Sequence, residues 1–450
     1  MRIREVRYSY EDYLYRTPIK FGGMALDRVT LLNVQIDVED GSGRRSTGIG
    51  SMPLGNVWSY PSRRLTYAQT LMSMKRAAEL IAKRYSEYTG EGHPIDLGHH
   101  LEKEAIGFAT KITQEQNLID PMPPLALLVV NSPFDAALHD AFGKLHQCST
   151  YQTYGRDFLT KDLGYYLGEA FRGYHLEDYV RRTPVPRLPL YHLVGALDPL
   201  TPAEVVTPIR DGLPEHLGEW VVYNGLTHLK IKLNGEDLDW DANRVLAVDR
   251  VVTETKGTDS TWFYSLDFNE RCGNVEYLLE FIHRVKEANR RAFSRVQYIE
   301  QPTKRDLKAD RANTMHRASQ LVPVVIDESL LDLESLEIAQ EMGYTGAALK
   351  ACKGQTQSLL LAAAAQIKKM FLCVQDLTCP GASLIHSAGL AAHVPTVAAI
   401  EANARQYCPA ANEPWKAWQP GLFRITNGTV DTSGLVGPGI IGTPPPERAV

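Results

Sequence analysis

From residue 188 onward eight short apolar runs recur, with seven stretches of helical spacing between them. The apolar runs cover 188–194, 228–233, 262–267, 296–300, 323–327, 346–350, 371–375 and 397–401. Runs this short, separated by helix-length stretches, are what βα units feeding a parallel sheet look like. The intervening stretches carry helix signals of their own. Segment 356–369 opens on Thr356, passes through a Leu/Ala-rich run and ends on Lys368 and Lys369, whose charges suit the negative helix end. Segment 332–342 opens on Asp332 as an N-cap and sets Leu333, Leu336 and Ala339 on one face. Every strand is apolar enough to be buried on both sides and none reads as an edge. The fold expected is therefore α/β, a closed TIM-like (β/α)7β barrel rather than an open sheet.

The chain before the barrel reads differently. Residues 29–39, the turn Asp40-Gly41-Ser42-Gly43 and residues 46–50 predict an antiparallel hairpin, and 67–88 and 97–110 predict surface helices. Together they make residues 1–150 an α+β capping domain. Segment 151–187, rich in Tyr, Arg and Pro and without a clear period, is expected to be a linker with an insertion, and 188–410 the barrel. The tail 411–450, with its glycines between 434 and 442 and Pro444-Pro445-Pro446, should be irregular and pack back on the first domain.

Composition excludes several functions. The 450 residues are 44% hydrophobic and 22% charged with a net charge of −5, and no basic cluster is present to neutralise phosphates, so a nucleic-acid partner has no support. The first 16 residues are charged and tyrosine-rich, which predicts neither a signal peptide nor a membrane anchor and makes a cytoplasmic location the expectation. Cys148, Cys272, Cys352, Cys373, Cys379 and Cys408 are scattered without a C-x-x-C pair and should stay reduced and structural. Zinc-protease and nucleophile-elbow motifs do not occur.

In His228-Leu229-Lys230-Ile231-Lys232-Leu233, side chains two apart share a face, so both lysines point one way and the aliphatic residues the other. Alone, such a strand reads as a solvated edge. Its neighbours change that reading. Three later strands end in Asp267-Phe268-Asn269, Glu300-Gln301-Pro302 and Asp327-Glu328-Ser329, roughly 30 residues apart, about one βα repeat. Consecutive strands would bring Asp267, Glu300 and Asp327 to the C-terminal mouth of the barrel. Three clustered carboxylates repel one another unless a cation sits among them, and an all-oxygen set suits Mg²⁺. The next strand ends in Lys350, with Lys353 one turn beyond, across the barrel from Lys230 and Lys232. A lysine is protonated at neutral pH, but burial beside a divalent cation and other lysines should lower its pKa and make it a base.

This ordered set resembles the enolase superfamily, and the lysine pattern resembles its muconate-lactonizing subgroup. The matching residues are Lys230 and Lys232, Asp267 with Asn269, Glu300-Gln301-Pro302, Asp327-Glu328-Ser329, and Leu349-Lys350 with Lys353-Gly354; Asp135 to Lys144 resembles the helix before the barrel. The resemblance implies abstraction of a proton beside a substrate carboxylate, giving a magnesium-stabilised enediolate. It implies Asp267, Glu300 and Asp327 as ligands of Mg²⁺, with Mn²⁺ as a substitute and Glu328 competing with Asp327. It further implies Lys232 and Lys350 as the acid/base pair, Lys230 as an electrostatic helper, and specificity loops near residues 16–24 and 51–58. Asn269, Lys353, Asp376, Glu401, Asn403 and Arg405 are the candidate substrate contacts. The partner expected is a small carboxylate substrate, with no membrane and no nucleic acid, in a homo-oligomer.

Two departures bear on the substrate. The eighth strand reads Glu401-Ala402-Asn403-Ala404-Arg405, not the Asp-x-Asp that resembles a dipeptide ammonium clamp, and Arg405 could instead meet a second acidic group. The seventh ends Gln375-Asp376-Leu377-Thr378 rather than in small residues. His386 and His393 fall on a helix after that strand and are expected to be structural. A racemase, epimerase or cycloisomerase follows from this reading, with an acid-sugar dehydratase type of lyase as the rival. A barrel kept only for binding is the rival outside enzymes.

Overall fold

A computed structural model describes residues 1–21, 24–396 and 400–442. Eight parallel strands close into a barrel, β4 (Arg187–Val194), β5 (His228–Lys232), β6 (Phe263–Asp267), β7 (Val296–Glu300), β8 (Val324–Ile326), β9 (Gly346–Lys350), β10 (Phe371–Gln375) and β11 (Ile400–Glu401), with β11 pairing back onto β4. The strands agree with the sequence expectation to within a residue or two, except that 397–399 of the eighth lie outside the described residues. Helices fill the connections. The one after β8, Leu333–Glu341, starts as expected, with Asp332 accepting a hydrogen bond from the Ser335 amide.

Alternation along each barrel strand sorts its side chains. Leu229, Ile231, Leu266, Ile299, Val324, Ile326, Leu349 and Val374 face outward into one core shared with the helices. Tyr191, Tyr298, Val325, Ala348 and Cys373 form a separate apolar layer inside. Burying such side chains contributes about 1.5–3 kcal/mol each, so both faces of the strands stabilise the barrel and the inner layer plugs its floor.

The N-terminal sheet has three antiparallel strands, β1 (Arg2–Phe21), β2 (Met24–Glu39) and β3 (Arg45–Pro53), in that order. The hairpin of β2 and β3 is the expected one. β1 is not: its 20 residues alternate charged and tyrosine side chains and gain their partner only through pairing with β2. Helix Pro124–Leu145 packs on this sheet and is buried on almost every side. The contact depends on Gly48 and Gly50, where a Cβ would fall 1.9 Å from the Ala137 carbonyl and 2.0 Å from the Pro133 carbonyl.

Segment 151–187, expected as a linker with an insertion, runs as a strap docked on the core. Tyr151, Tyr154, Leu159, Leu163, Tyr166, Phe171 and Leu176 are buried in the main core, the Tyr166 hydroxyl donates to Asp96 at 2.6 Å, and the Arg181 amide donates to the His393 carbonyl at 2.7 Å. Its irregular period reflects short 3-10 turns that dock by aromatic side chains. The tail touches both regions: β12 (Thr429–Asp431) pairs antiparallel with β4, while the Ile440 and Ile441 amides donate to Asp140 at 2.8 and 3.0 Å. Pro444-Pro445-Pro446 lie outside the described residues.

Candidate active site

One step above the apolar plug, the same inward parity places a ring of polar side chains. Lys230 and Lys232 on β5, Asp267 on β6, Glu300 on β7, Asp327 just past β8, Lys350 on β9, Gln375 on β10 and Glu401 on β11 are all at most 5% exposed. In the sheet register Lys232 lies beside Asp267 and Asp267 beside Glu300, so the first pair sets opposite charges side by side and the second sets two carboxylates together, which Lys230 bridges. Lys230 Nζ is 3.1 Å from Asp267, 2.9 Å from Glu300 and 2.9 Å from Glu401. Lys232 Nζ donates to Asp267 at 2.5 Å and to the Asn269 side-chain oxygen at 3.0 Å. Lys350 Nζ is 2.9 Å from Asp327 Oδ2, and Lys353 Nζ is 3.2 Å from Oδ1 of the same carboxylate. β5 and β9 are four strands apart in a barrel of eight, so Lys232 and Lys350 stand on opposite sides of the ring.

The electrostatics follow from burial opposed by pairing. Burial alone would raise Asp267, yet the adjacent Lys232 and Lys230 hold it below the ordinary carboxylate range. Asp327 is lowered to about 2 in the same way, burial being outweighed by Lys350 and Lys353. Glu300 moves up, through burial and then the charge of Asp267. For Lys350, burial lowers the pKa, but Asp327, Glu300 and Glu401 outweigh burial and raise it above the usual lysine value. Lys230 is raised for a similar reason. The cause is that carboxylates are the immediate neighbours of these ammonium groups; the lowering expected from the sequence belongs to a site that holds a cation.

The cap completes one side of the ring. Trp58, at the end of the expected 51–58 loop, donates its indole N–H to Glu328 Oε1 at 2.9 Å, and Lys350 Nζ lies 4.6 Å from its ring centroid. Glu328 is buried with Oε2 unpartnered, and burial followed by the charge of Asp327 raises it to about 7. It turns toward the cap, while Asp327 keeps the inward parity of Val325. Asp135 of helix Pro124–Leu145 accepts from both the amide and the hydroxyl of Thr356 at 2.7 Å, which fixes the start of the helix that follows Lys350. Lys20, within the expected 16–24 loop but placed by the structure in strand β1, lines a pocket of about 250 Å³ with Lys232, Asn234, Trp240, Asn269 and Arg271. Residues 22 and 23 of that loop are outside the described residues.

The remaining candidates divide. Asn269, Lys353 and Glu401 touch the ring. Asn403 donates to Glu401 at 2.5 Å. Asp376 accepts from the amides of Thr378 and Asn403, both at 2.9 Å, and so ties two strand ends together. Arg405 does not join the ring: it lines a cavity that shares no residue with the pocket at Lys232. His386 bonds Gln355 at 2.9 Å, and His393 stacks on Tyr151 at 3.6 Å, both as packing groups. Three residues of consequence were given no role from the sequence, although Gln301 and Gln375 stand in motifs it marked. Gln375 bonds Glu300, Gln301 receives the Asp327 amide at 2.9 Å, and Glu270 pairs with Arg305 at 2.5 Å. Asn269, Glu270, Gln301 and Thr378 also take left-handed φ values of 45°, 66°, 30° and 55° just beyond strand ends, backbone strain of the kind that collects at working sites.

Three carboxylates of one parity, on three consecutive strand ends and all offering oxygen, suit a hard divalent cation. As the side chains stand, each carboxylate is turned onto an ammonium, and among the described residues no group of three His, Cys, Asp or Glu is set to hold a metal ion. The donor set fits magnesium in chemistry and placement, provided the lysines share it.

A capped (β/α)7β barrel with lysines and carboxylates at the C-terminal mouth defines the class of this protein. The chain belongs to the enolase superfamily, of the mandelate racemase and muconate lactonizing type: residues 213–442 match the family described as enolase C-terminal domain-like. Among solved structures, it is similar to a mandelate racemase/muconate lactonizing protein from Herpetosiphon aurantiacus, at 17% identity and a TM-score of 0.64 over 99% of each chain. A dipeptide epimerase from Enterococcus faecalis V583, complexed with Mg and L-Leu-L-Tyr, is 16% identical with a TM-score of 0.62 over 98% of this chain and 99% of that one. A muconate lactonizing enzyme from Pseudomonas fluorescens, complexed with muconolactone, is 16% identical with a TM-score of 0.60 over 99% and 98%. At such identities these likenesses concern the fold. A search of curated proteins returns no match. Among the described residues no helix is long and apolar enough to cross a membrane.

Proposed function

We propose that the chain is a magnesium-dependent enzyme that removes the α-proton of a small carboxylate substrate to give an enediolate, and that its outcome is racemisation, epimerisation or cycloisomerisation. The observation that supports this most is the opposition of Lys232 and Lys350 across a ring containing Asp267, Glu300 and Asp327. Bound by those three carboxylates, Mg²⁺ would neutralise the substrate carboxylate and the charge that develops on it.

The residues of the chain do the rest. Lys232, beside the pocket at the barrel mouth, removes or returns the proton on one face of the α-carbon, and Lys350 acts on the other. Lys230, gripped by three carboxylates, is held as a fixed ammonium and stabilises negative charge without exchanging protons. Sharing Asp327 with a cation would remove part of the negative charge that now raises Lys350, moving it toward the neutral form a base requires. If one lysine is purely electrostatic, the same site is that of a lyase. The ring and its plug are closed off beneath by tyrosines, so substrate enters from the cap side.

The test is a screen of acid sugars, N-acyl amino acids and dipeptides for α-proton exchange in D₂O, read by NMR with and without Mg²⁺ or Mn²⁺. Exchange that needs the cation is expected. Full turnover by a chelated sample would remove the metal assignment. An absence of exchange throughout, combined with no metal-dependent thermal shift, would favour a barrel kept for binding alone.

A further inference from the structure

A cavity of about 750 Å³ lies outside the barrel, between helix Leu217–Asn224 and the chain that follows β11. Its walls include Trp220, Tyr223 and Phe423, and its charged lining residues are Arg405, Lys416 and Arg424, with no Asp or Glu among the lining. Arg405, on the short helix Ala404–Tyr407, is 8% exposed, and its Nε and Nη2 are buried without a partner. Asn224 is 2% exposed, and its Nδ2 is likewise buried and unused. Of the other lining amides, Asn412 is engaged at both ends, accepting from the Gly381 amide at 2.8 Å and donating to the Ala404 carbonyl at 3.2 Å, and Asn427 is exposed.

The charge balance of this cavity is one-sided. Lys416 pairs with Glu413, but the Arg424 guanidinium makes no ion pair or hydrogen bond among the described residues. Asp376 acts on Arg405 only through space, because its oxygens are taken by the amides of Thr378, Cys379 and Asn403. Burial draws the Arg405 guanidinium down to about 10. Two of the three guanidinium nitrogens are thus removed from water without hydrogen bonds, a cost to folding that the charge of Asp376 offsets only through space. The unused groups are all donors, which is the complement of an oxyanion, and they sit in a cavity of ordinary small-molecule size with aromatic walls.

We infer that this cavity binds a small molecule carrying one oxyanion, a carboxylate or a phosphate, on an aromatic or similarly flat apolar body. The oxyanion meets Arg405 and Asn224, the body lies against Trp220 and Tyr223, and Arg424 adds positive charge at the rim. The site is separate from the barrel mouth and does not depend on the reaction proposed there.

The experiment is calorimetric titration of the full chain, chelated so that the barrel carboxylates hold no metal, with phenyl phosphate, benzoate, inorganic phosphate and benzyl alcohol at neutral pH. One equivalent of phenyl phosphate or benzoate should bind, about tenfold or more tighter than inorganic phosphate or benzyl alcohol. Arg405→Gln should weaken it by about tenfold or more and Arg424→Gln by about twofold, since the first loses buried charged hydrogen bonds and the second a screened charge. Lys232→Ala should leave this affinity unchanged, which separates the cavity from the barrel mouth. Arg405→Met should keep or raise the thermal midpoint, as it removes an unpaired buried charge, and Asn224→Ala gives a second variant if either Arg405 change fails to fold. No binding of either aromatic anion at millimolar concentration would overturn the proposal. So would equal binding of benzyl alcohol, equal binding of inorganic phosphate, or wild-type affinity in both the Arg405→Gln and Asn224→Ala variants.

Discussion

The two lysine-bearing sides of the barrel mouth are built differently. On the β5 side, Lys232 is held by Asp267 at 2.5 Å and Asn269 at 3.0 Å, both from the adjacent strand and the turn after it, and it opens onto the pocket lined by Trp240 and Arg271. On the β9 side, Lys350 is paired with Asp327 at 2.9 Å, covered by the Trp58 ring at 4.6 Å, and followed by a helix whose first turn is anchored to Asp135 of the cap. The hydrogen bonds described for Lys232 come from the barrel, while Lys350 is held by barrel and cap together. The difference teaches that cap changes need not act on the site as a whole; they should act on the half they touch.

The comparison breaks most sharply with the lysines themselves. If they serve opposite faces, Lys232→Ala should lower α-deuteration of one enantiomer by about 10²–10⁴-fold and spare the other, with Lys350→Ala doing the reverse. NMR of each enantiomer with each folded, metal-binding variant measures this. Loss of both enantiomers in one variant, with mere slowing in the other, would mark one-base chemistry, and wild-type exchange in both would end the catalytic assignment.

Next in size is Lys230→Met, which leaves Asp267, Glu300 and Glu401 facing one another inside the barrel. A stability loss of about 3–5 kcal/mol is expected from breaking a buried charge cluster, measured by urea unfolding of chelated protein. Added Mg²⁺ should restore part of it, and an undiminished midpoint would mean that Lys230 does not hold the ring together.

Trp58→Leu sharpens the contrast with a smaller effect. It removes the ring over Lys350 and the hydrogen bond to Glu328, contacts worth about 1–2 kcal/mol together. Exchange through Lys350 should fall several-fold while exchange through Lys232 is retained. An equal fall on both faces would show that the cap acts on the whole mouth.

The smallest effect is a pH slope. Glu328 is raised to about 7, so between its unfolded value and that point the folded chain binds a proton that the unfolded chain has lost. Stability of chelated protein should therefore decline as pH rises through this window. Glu328→Gln should flatten the decline, by about 2 °C in Tm across the range. Asp327, lowered to about 2, works in the opposite sense: its contribution is present above the unfolded carboxylate value and is lost as pH falls toward 2. Thermal melts from acid to pH 8 separate the two, and an unchanged slope in Glu328→Gln would assign the neutral-range titration elsewhere.

The sequence by itself determined the parts whose signal is local. Alternation by two put Lys230 and Lys232 on one face, and apolar runs ending in Asp267, Glu300, Asp327 and Lys350 marked strand ends that the fold closes into one mouth. β1 was not legible, since its half-exposed charged and tyrosine residues become a strand only against β2, and helix Pro124–Leu145 shows no period because nearly every face is buried. The direction of Arg405, the carboxylates that raise Lys350 and the cover supplied by Trp58 were decided by tertiary structure alone. Trp58 and Glu328 meet across 270 residues of sequence, and a contact at that separation leaves no periodicity for a local pattern to carry, because packing, not neighbouring residues, brings the two groups together.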